Sequence, residues 1–412
     1  MPKQDKNVRR AAVSALRAWS KGHAYADSLI DRQVIKNDLS SSDRALLQSI
    51  IMAVLRHRNL LDYWIGLIRT GKLDHETRDI LRVGVAQLMI LRIPDHAAVY
   101  ETVNCGRIPA RGLINAILRK TLLLRKRFLE DLENVPLPIQ WSHPEWLWKR
   151  WRKQFGVSNT VALADWNNQP AHNFVRVNPL KSSELDYAAL NLDATEDPRF
   201  FLVEEKLPLA EVKAGFLYVQ DLATRHSVDV LNPQPGECIL DACAAPGGKA
   251  AFIAGAMKNS GDLVCTDSNE KRLPRLKENL TNLGVTIAKI KEHDWTQPAP
   301  AEWHERFDGI LADVPCSNTG VIRRRVDVKW RLKAEQFSEL VELQRLIIKN
   351  LIPCLKSGGR LVYSTCSIDD EENVEQAAFI QKEYALDLIS EVQITPFKDQ
   401  TDGAYAAVFS KK

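Results

Sequence analysis

The sequence predicts a multidomain protein: an all-α bundle, then a small α+β subdomain, then an α/β Rossmann-like domain. Three observations support this prediction. Apolar residues recur at helical spacing up to about residue 132, a proline-rich stretch follows at 135–138, and strand and helix patterns alternate after residue 221. Because 412 residues are too many for one core, we expect domains at 1–134, 141–215 and 216–412.

The prediction of helices in the first part depends on periodicity and on signals at helix ends. Leu46, Ile50 and Val54 form one of several sets of apolar residues at helical spacing. The sequence Ser-Ser-Asp at 41–43 is typical of a helix start, and Ile-Pro-Asp at 93–95 is typical of a break. Strand patterns are almost absent here, so we expect a helical bundle.

Charge is distributed unevenly along the chain. Residues 1–140 carry 23 Lys and Arg against 14 Asp and Glu, a net charge of +9, whereas residues 141–412 carry 33 against 38. A basic module joined to a mildly acidic one indicates a polyanionic partner held mainly by the first part. A solvated basic surface without a partner explains the charge equally well. The basic run at 125–127 could instead lie near the carboxyl end of a helix, where positive charge complements the helix dipole.

Composition excludes several classes of protein. The seven cysteines are odd in number and form no Cys-x-x-Cys pair, which argues against a disulfide framework and against structural zinc. The amino terminus lacks the apolar core of a signal peptide, and no apolar stretch approaches the ~20 residues of a membrane helix. We therefore expect a cytoplasmic protein with reduced thiols, no metal and no membrane contact.

A tryptophan-rich segment follows the proline-rich stretch. Its aromatic side chains alternate with basic ones and could stack on unpaired bases, although core positions at helical spacing are the favoured interpretation. We expect Ser142 to cap the helix in this segment and Pro144 to lie in its first turn. The tryptophans are Trp141, Trp146, Trp148 and Trp151.

Strand patterns dominate the second half of the chain. In the subdomain, short strands are predicted at 174–177 and 216–219, with a helix-like stretch at 183–192 between them. The later strands alternate with helices, which predicts a doubly wound parallel sheet closed by a final strand pair. These strands are predicted at 238–242, 263–267, 286–291, 307–313, 360–364, 386–394 and 404–409.

A glycine-rich turn at 241–249 joins the first strand of this sheet to a helix. Gly247 and Gly248 would let the backbone approach a ligand, and the helix amino end would favour a carboxylate or phosphate. The spacing matches neither a Gly-x-x-x-x-Gly-Lys phosphate loop nor the Gly-x-Gly-x-x-Gly of NAD-binding proteins. Asp267 ends the next strand and could accept the hydroxyls of a ribose. Asp294 could meet an adenine amino group or stabilise a turn.

Two cysteines follow two other predicted strands. Cys316 ends Asp-Val-Pro-Cys and Cys366 ends Ser-Thr-Cys. Ligands of open α/β sheets lie at the carboxyl ends of strands, so we expect both thiols beside one nucleotide-like cofactor. A zinc deaminase would need Pro-Cys-x-x-Cys, but the next cysteine is Cys354. The alternative is that both are buried small apolar residues.

Together these motifs resemble those of the Nol/Nop/Sun family of RNA cytosine-C5 methyltransferases. The resemblance lies in Cys-Ala-Ala-Pro-Gly-Gly-Lys at 243–249, Asp-Val-Pro-Cys-Ser-x-Thr-Gly at 313–320 and Ser-Thr-Cys-Ser at 364–367. Further matches lie at 142–147, 219–221 and 327–330. The helical part resembles the RNA-binding factor NusB, and the similarity spans essentially the whole chain. Departures are Asn318, where Ala is common, and Val326, where Pro is usual.

The resemblance implies an enzyme that transfers a methyl group from S-adenosyl-L-methionine to C5 of a cytosine in 16S rRNA, of the type acting at cytosine 967. It implies that Cys366 adds to C6 of the base and that Cys316 assists breakdown of the adduct. The opposite assignment, known from DNA methylases, is the alternative. A proton donor is then needed at N3 of the base, and Asp313 stands at the right strand end to supply it once burial raises its pKa. Lys249 could favour the thiolate.

The expected cofactor contacts and partners complete the prediction. We expect a monomer that acts on 16S rRNA, either free or in an early assembly intermediate, with Arg323, Arg324 and Arg325 gripping phosphates. The alternatives are a non-catalytic RNA-binding factor and a tRNA methyltransferase. The cofactor is expected to contact Cys243, Ala244, Ala245, Pro246, Gly247, Gly248, Lys249, Asp267, Asp294 and Asp313.

Overall fold

The computed structural model describes residues 7–181, 185, 187–204 and 206–412. Its internal contacts divide the chain into two compact units. The first comprises Met1–Gln169 with Arg325–Arg331, and the second comprises Pro170–Arg324 with Leu332–Lys412. Among the described residues, no helix has the length and apolar character needed to cross a membrane.

The first unit is helical, as the periodicity predicts. Helix α5 is buried around most of its circumference and packs against α1, α3, α4, α6 and α7, so it forms the centre of the core. The helices are α1 (Val8–Ser20), α2 (Ala26–Asn37), α3 (Ser41–Arg56), α4 (Arg58–Ile68), α5 (His75–Met89), α6 (Asp95–Val103), α7 (Ile108–Glu130), α8 (Leu137–Gln140) and α9 (Glu145–Asn168).

The two helix boundaries predicted at 41–43 and 93–95 are confirmed. Helix α3 begins at Ser41, where the Ser40 hydroxyl accepts a hydrogen bond of 3.1 Å from the backbone N–H of Asp43. The break at 93–95 separates α5 from α6, which begins at Asp95. The tryptophan-rich segment forms the start of α9, and Trp148 and Trp151 are buried, so the core interpretation holds for these two.

Ser142 does not cap α9, contrary to the prediction. Its φ of +56° turns the side chain away from that helix. The hydroxyl instead accepts hydrogen bonds from the backbone N–H groups of Asn59 at 2.6 Å and Leu60 at 3.4 Å, in the first turn of α4. Ser142 is fully buried, so it satisfies amide groups that water does not reach.

Ser142→Ala is therefore expected to destabilise α4 rather than α9. Loss of a buried cap should lower the free energy of unfolding by about 1–2 kcal/mol. The measurement is urea unfolding combined with hydrogen exchange of the Asn59 and Leu60 amides, which should exchange faster. Ser49→Ala is the matched control, because the exposed Ser49 hydroxyl bonds only within α3 in the contact described. Faster exchange in α9 with α4 unchanged would contradict the assignment.

The second unit contains a small antiparallel sheet. Its strands are β1 (Asn173–Val177), β2 (Asp193–Ala194), β3 (Phe200–Val203) and β4 (Leu217–Val219), in the order β2-β3-β1-β4, with α10 (Leu209–Ala214) before β4. Both predicted strands are confirmed. In place of the helix expected at 183–192, the described residues show a short 3₁₀ turn at Ala188–Leu190, while 182–184 and 186 lie outside the described residues.

The larger sheet has seven strands in the order β10-β11-β9-β8-β5-β6-β7. Strands β5 to β9 are parallel, as predicted, and the final pair, β10 and β11, is antiparallel to its neighbours. The strands are β5 (Cys238–Asp241), β6 (Asp262–Asp267), β7 (Ala288–Glu292), β8 (Phe307–Asp313), β9 (Leu355–Thr365), β10 (Asp387–Ile394) and β11 (Ala404–Ser410). The helices that accompany this sheet are α11 (Arg225–Leu231), α12 (Gly248–Ala256), α13 (Leu273–Asn282), α15 (Gln336–Leu351), α16 (Val374–Tyr384) and α17 (Pro396–Asp399), while α14 (Val328–Arg331) belongs to the first unit.

Strand order reverses between β5 and β8. Strands β5, β6 and β7 extend in one direction, whereas β8 pairs with the opposite edge of β5 and continues to β9. Such a reversal opens a crevice at the carboxyl ends of the two strands, where open α/β sheets bind ligands. Most of the expected site residues follow β5, β8 and β9 at this edge, whereas Asp267 ends β6 and Asp294 follows β7.

The compact units differ from the expected domain ranges at two places. Helix α9, expected to open the α+β subdomain, packs within the first unit, and so does the short segment Arg325–Arg331. In this segment the buried Lys329 ammonium donates to the Arg56 carbonyl and the Asn168 side chain, both at 2.9 Å. Burial lowers the pKa of Lys329 well below its usual value. The Trp330 indole donates to the Leu55 carbonyl.

Candidate active site

The glycine-rich turn connects β5 to α12 as predicted, but its glycines are required by the protein itself. Gly247 has a φ of +106°, and a Cβ there would lie 2.9 Å from the Leu276 side chain. A Cβ on Gly248 would lie 2.8 Å from the Tyr218 ring. Close packing of protein groups therefore requires glycine at these two positions, and contact of their backbone with a cofactor stays a prediction.

The other residues of the turn are held by backbone contacts. Ala244 N–H donates to the Thr266 carbonyl at 2.8 Å, and Ala245 N–H lies 3.3 Å from a carboxylate oxygen of Asp267. The Ala245–Pro246 peptide bond is cis. Cys243 is half-buried, and its burial raises the pKa of the thiol. These contacts tie the turn to the end of β6.

Asp241, the last residue of β5, is a functional candidate that the sequence analysis missed. Its side chain is buried, and among the described residues neither carboxylate oxygen has a hydrogen-bond partner. Burial, reinforced by the Asp313 carboxylate, raises the pKa of Asp241 to about 7. Buried polar groups are rarely left unpaired, so this carboxyl fits a ligand ammonium such as the amino-acid end of S-adenosyl-L-methionine.

Asp241→Asn is expected to raise the stability of the cofactor-free protein near neutral pH and to weaken cofactor binding. The carboxyl has an ordinary pKa of 3.8 when unfolded and about 7 when folded, so it destabilises the fold increasingly as pH rises from about 4 to 7. Without cofactor, the variant should match the parent at pH 4 and be more stable at pH 8, by on the order of 1–3 kcal/mol. Cofactor affinity should fall roughly 10-fold or more. Thermal unfolding across pH and calorimetric titration measure the two effects. Equal affinities would contradict the assignment.

Asp267 and Asp294 occupy different environments. Asp267 is buried at the end of β6, accepts from Asn269 N–H at 3.0 Å and pairs with Arg272 at 3.2 Å, so it holds the turn beside the crevice. Asp294 is exposed, and its Oδ1 accepts from Thr296 N–H at 2.9 Å. This hydrogen bond fits the turn role considered for Asp294, and its contact with an adenine amino group stays a prediction.

Lys249 and Asp313 form an ion pair between α12 and the end of β8. Lys249 Nζ lies 2.6 Å from an Asp313 carboxylate oxygen, and both side chains remain partly accessible. Burial lowers the pKa of Lys249, but the Asp313 carboxylate outweighs this effect and the pKa is raised overall. The pair therefore keeps a proton on Lys249 beside a carboxylate at the edge of the crevice.

Cys316 and Cys366 are in contact. Their Sγ atoms are 3.3 Å apart, and both residues are half-buried. The hydrogen bond to Cys366, together with burial, raises the pKa of Cys316 well above its usual value. Cys316 is therefore the thiol that retains its proton. The sequence prediction that two strands bring these thiols together is confirmed in geometry, and the interpretation as unrelated apolar core residues is disfavoured.

A buried polar network supports the turn that follows Cys316. Ser317 N–H donates to Glu372 at 3.0 Å, and the Gln344 side chain donates to the same carboxylate at 2.9 Å. The Thr319 hydroxyl donates to Asp369 at 2.6 Å. Sequence reasoning missed this network, because Gln344 is far along the chain and Glu372 falls within an ordinary acidic run.

In the arginine run at 323–325, Arg323 and Arg324 bind other groups of the protein. Arg323 is buried and donates to the Pro170 carbonyl at 2.6 and 2.9 Å. Arg324 pairs with Asp221 at 2.5 Å and with Asp402 at 2.6 Å. The prediction that these two grip phosphates is therefore wrong, while Arg325 is exposed. Both acidic partners of Arg324 line a cavity of about 50 Å³ that also reaches Lys249 and Cys366.

Three family models match this chain. The model for the 16S rRNA methyltransferase RsmB/F matches residues 228–410, the NusB family model matches 6–122, and the RsmF/B-like ferredoxin-like domain model matches 143–195. Each match falls inside one of the three ranges expected from the sequence. The limits of the domains themselves stay predictions.

Curated relatives extend the similarity to the full chain. The ribosomal RNA small subunit methyltransferase B of Citrobacter koseri is 35% identical, over 98% of this chain and 99% of the relative. The protein of the same name from Shigella flexneri is 33% identical over the whole of both chains. Similarity at this level over the full length shows membership of one family.

Solved structures show the same fold. The crystal structure of PH0851 has a TM-score of 0.80 and 23% identity, covering 99% of each chain. A methyltransferase homolog protein from Pyrococcus horikoshii has a TM-score of 0.60 and 24% identity, covering 67% of this chain and 98% of that one. The cofactor is S-adenosyl-L-methionine, which the unpaired Asp241 and the turn at 241–249 fit. The chain belongs to the RsmB/F family of 16S rRNA methyltransferases.

Proposed function

We propose that this protein methylates C5 of a cytosine in 16S rRNA, at the position equivalent to cytosine 967, through a covalent bond between Cys366 and C6 of the base. The observation that carries the proposal is the contact between Cys316 and Cys366 beside the Lys249–Asp313 ion pair. The family and its named relatives support rRNA as the substrate.

The chemistry of cytosine explains why such a site is needed. C5 of the neutral ring is a poor nucleophile and does not attack a methyl donor directly. A thiolate that adds to C6 converts the ring to an enamine, whose C5 is nucleophilic. The reaction then needs a proton at N3, removal of the proton from C5 and departure of the thiolate. S-adenosyl-L-methionine supplies the electrophilic methyl group when it is bound.

The hydrogen bond within the cysteine pair supports Cys366 as the nucleophile. Because the pKa of Cys316 is raised well above its usual value, Cys316 keeps its proton, which supports assigning the nucleophile to the other thiol of the pair, Cys366. When a water molecule acting as the base takes the proton from C5, the electrons of that C–H bond form the C5–C6 double bond. The bond from C6 to Cys366 then breaks, and its electrons leave with the sulfur. Cys316 then donates a hydrogen bond to the departing sulfur at 3.3 Å.

The ion pair supports a role at N3 of the base. Addition at C6 places negative charge on the ring, which a proton at N3 neutralises. Asp313 stands at the end of β8, and Lys249 holds a proton 2.6 Å from its carboxylate. We propose that Asp313 delivers a proton to N3 and that Lys249 is the group from which it is replenished.

The target base must leave any helical stack to reach these thiols, so an accessible loop nucleotide is expected. The first part of the chain carries the excess positive charge, and α7 exposes Arg119 and Lys120 on its surface. We propose that this surface contributes non-specific affinity for the phosphate backbone. The structure of the catalytic strand ends then determines which atom is methylated.

The test is methyl transfer from labelled S-adenosyl-L-methionine to a 16S rRNA transcript, with bisulfite sequencing to locate 5-methylcytosine. We expect one modified cytosine. Label in rRNA without 5-methylcytosine would reject C5 as the acceptor, and label in tRNA alone would reject the substrate. RNA binding without any label would favour the non-catalytic alternative.

A further inference from the structure

Asn318 contacts both cysteines from the turn after Cys316. Its Nδ2 donates to the Cys316 carbonyl at 2.7 Å, and its Oδ1 lies 3.3 Å from the Cys366 sulfur. The φ of Asn318 is +61°, in the left-handed region, which asparagine tolerates better than most residues. This conformation turns the amide onto the cysteine pair.

The amide has one favourable orientation here. Rotation by half a turn would bring Oδ1 against the Cys316 carbonyl, and two acceptors at 2.7 Å repel each other. The group that Asn318 presents to Cys366 is therefore an acceptor. An acceptor at this place binds the S–H of a thiol and is unfavourable to a thiolate.

We propose that Asn318 is a positioning residue that holds the S–H of Cys366 and so fixes the direction of a hydrogen-bond chain from Cys316 through Cys366 to Asn318. The inference rests on the proposed function, in which Cys366 is the nucleophile. In this chain the Cys316 proton points at the Cys366 sulfur and the Cys366 proton points at Oδ1. Cys316 is then already oriented to donate to Cys366 when that sulfur departs from the base.

The hydrogen bond to Asn318 also opposes ionisation of Cys366. The proton of Cys366 must leave the bond with Asn318 before the sulfur becomes a thiolate, so this bond favours the thiol. Other charged or titratable groups surround Cys366, and changing Asn318 alters none of them. Lys249 and Cys316 interact with Cys366 directly, and Asp313 pairs with Lys249. Asp221, His226, Asp402 and Tyr405 line the same cavity, Arg324 pairs with Asp221, and Glu372 lies near Cys316.

The experiment compares alkylation of Cys366 by iodoacetamide between pH 5 and pH 10 in the parent, Asn318→Gly and Asn318→Asp. Glycine removes the amide and accepts the positive φ without strain, whereas aspartate keeps the shape and adds negative charge. The midpoint should fall by about 0.5–1 pH unit in the glycine variant and rise by a similar amount in the aspartate variant. Mass spectrometry of the Cys366 peptide gives the rate.

Cys105, in the first unit, is the internal reference in each sample, and its rate should be the same in all three proteins. A midpoint in Asn318→Gly equal to or above that of the parent would overturn the proposal. A shift of both midpoints in the same direction would also overturn the proposal, because it would indicate that each substitution alters the structure of the turn after Cys316. The alkylation assay contains no RNA, so its result does not depend on the proposed function. If the two variants shift in opposite directions but the enzyme forms no 5-methylcytosine, the proposed function is refuted and the role of Asn318 stands.

Discussion

Cys366→Ala is expected to reduce methyl transfer to background, whereas Cys316→Ala is expected to accumulate a covalent protein–RNA adduct. Without the Cys366 sulfur nothing adds to C6, and C5 is never activated. Without Cys316 the adduct still forms, but the departing sulfur loses the hydrogen-bond donor now 3.3 Å away, so its release slows. Denaturing gels with labelled rRNA distinguish the two outcomes, because a covalent adduct survives and a non-covalent complex does not.

Cys105→Ala is the matched control for this comparison. Cys105 is a half-buried thiol in the first unit, and burial raises its pKa to about 11, so it should remain inert. Its substitution should leave turnover unchanged and give no adduct. An adduct formed by Cys366→Ala, with none formed by Cys316→Ala, would reverse the roles of the two cysteines.

A transcript with 5-fluorocytosine at the target position adds a second test of the same assignment. Fluorine at C5 cannot leave as a proton does, so the adduct cannot break down after methyl transfer. The parent and Cys316→Ala should both be trapped, and Cys366→Ala should not. Trapping of Cys366→Ala would show that another residue attacks the base.

The parts of the fold that depend on local pattern could be predicted from the sequence. Strand β8 spans Phe307–Asp313, the predicted range, because its buried centre at 309–312 is an apolar run, as expected of a parallel strand buried on both faces. The contact of Cys316 with Cys366 follows from topology, since adjacent parallel strands end at the same edge. Both are consequences of residues close to one another in sequence or in strand order.

What could not be predicted depends on partners far along the chain. Ser142 caps a helix more than 80 residues earlier, and Arg324 finds its two carboxylates at Asp221 and Asp402. Asp241 is notable because no described group pairs with it, which only the packed structure reveals. A run of arginines or a serine before a helix has several local interpretations, and burial decides among them.

Asp313→Asn and Lys249→Met are each expected to slow methyl transfer at saturating cofactor and RNA by roughly 10²–10⁴-fold, and the double variant should be no slower than the slower single one. Asparagine matches the shape of Asp313 but cannot deliver a proton to N3. Methionine leaves Asp313 without the ammonium now 2.6 Å away, so the proton is not replaced. If Asp313 and Lys249 deliver the proton together, either single substitution already removes this contribution to the rate, and the second substitution has nothing further to remove.

Single-turnover rates measure the chemical step, and separate titration of S-adenosyl-L-methionine shows whether either variant also weakens cofactor binding. Lys382→Met, on the exposed face of α16, is the matched control and should leave the rate unchanged. A rate for Asp313→Asn within threefold of the parent would reject the proton delivery assigned to Asp313. Losses that multiply in the double variant would mean that the two residues act independently, with Lys249 serving the thiol rather than the carboxylate.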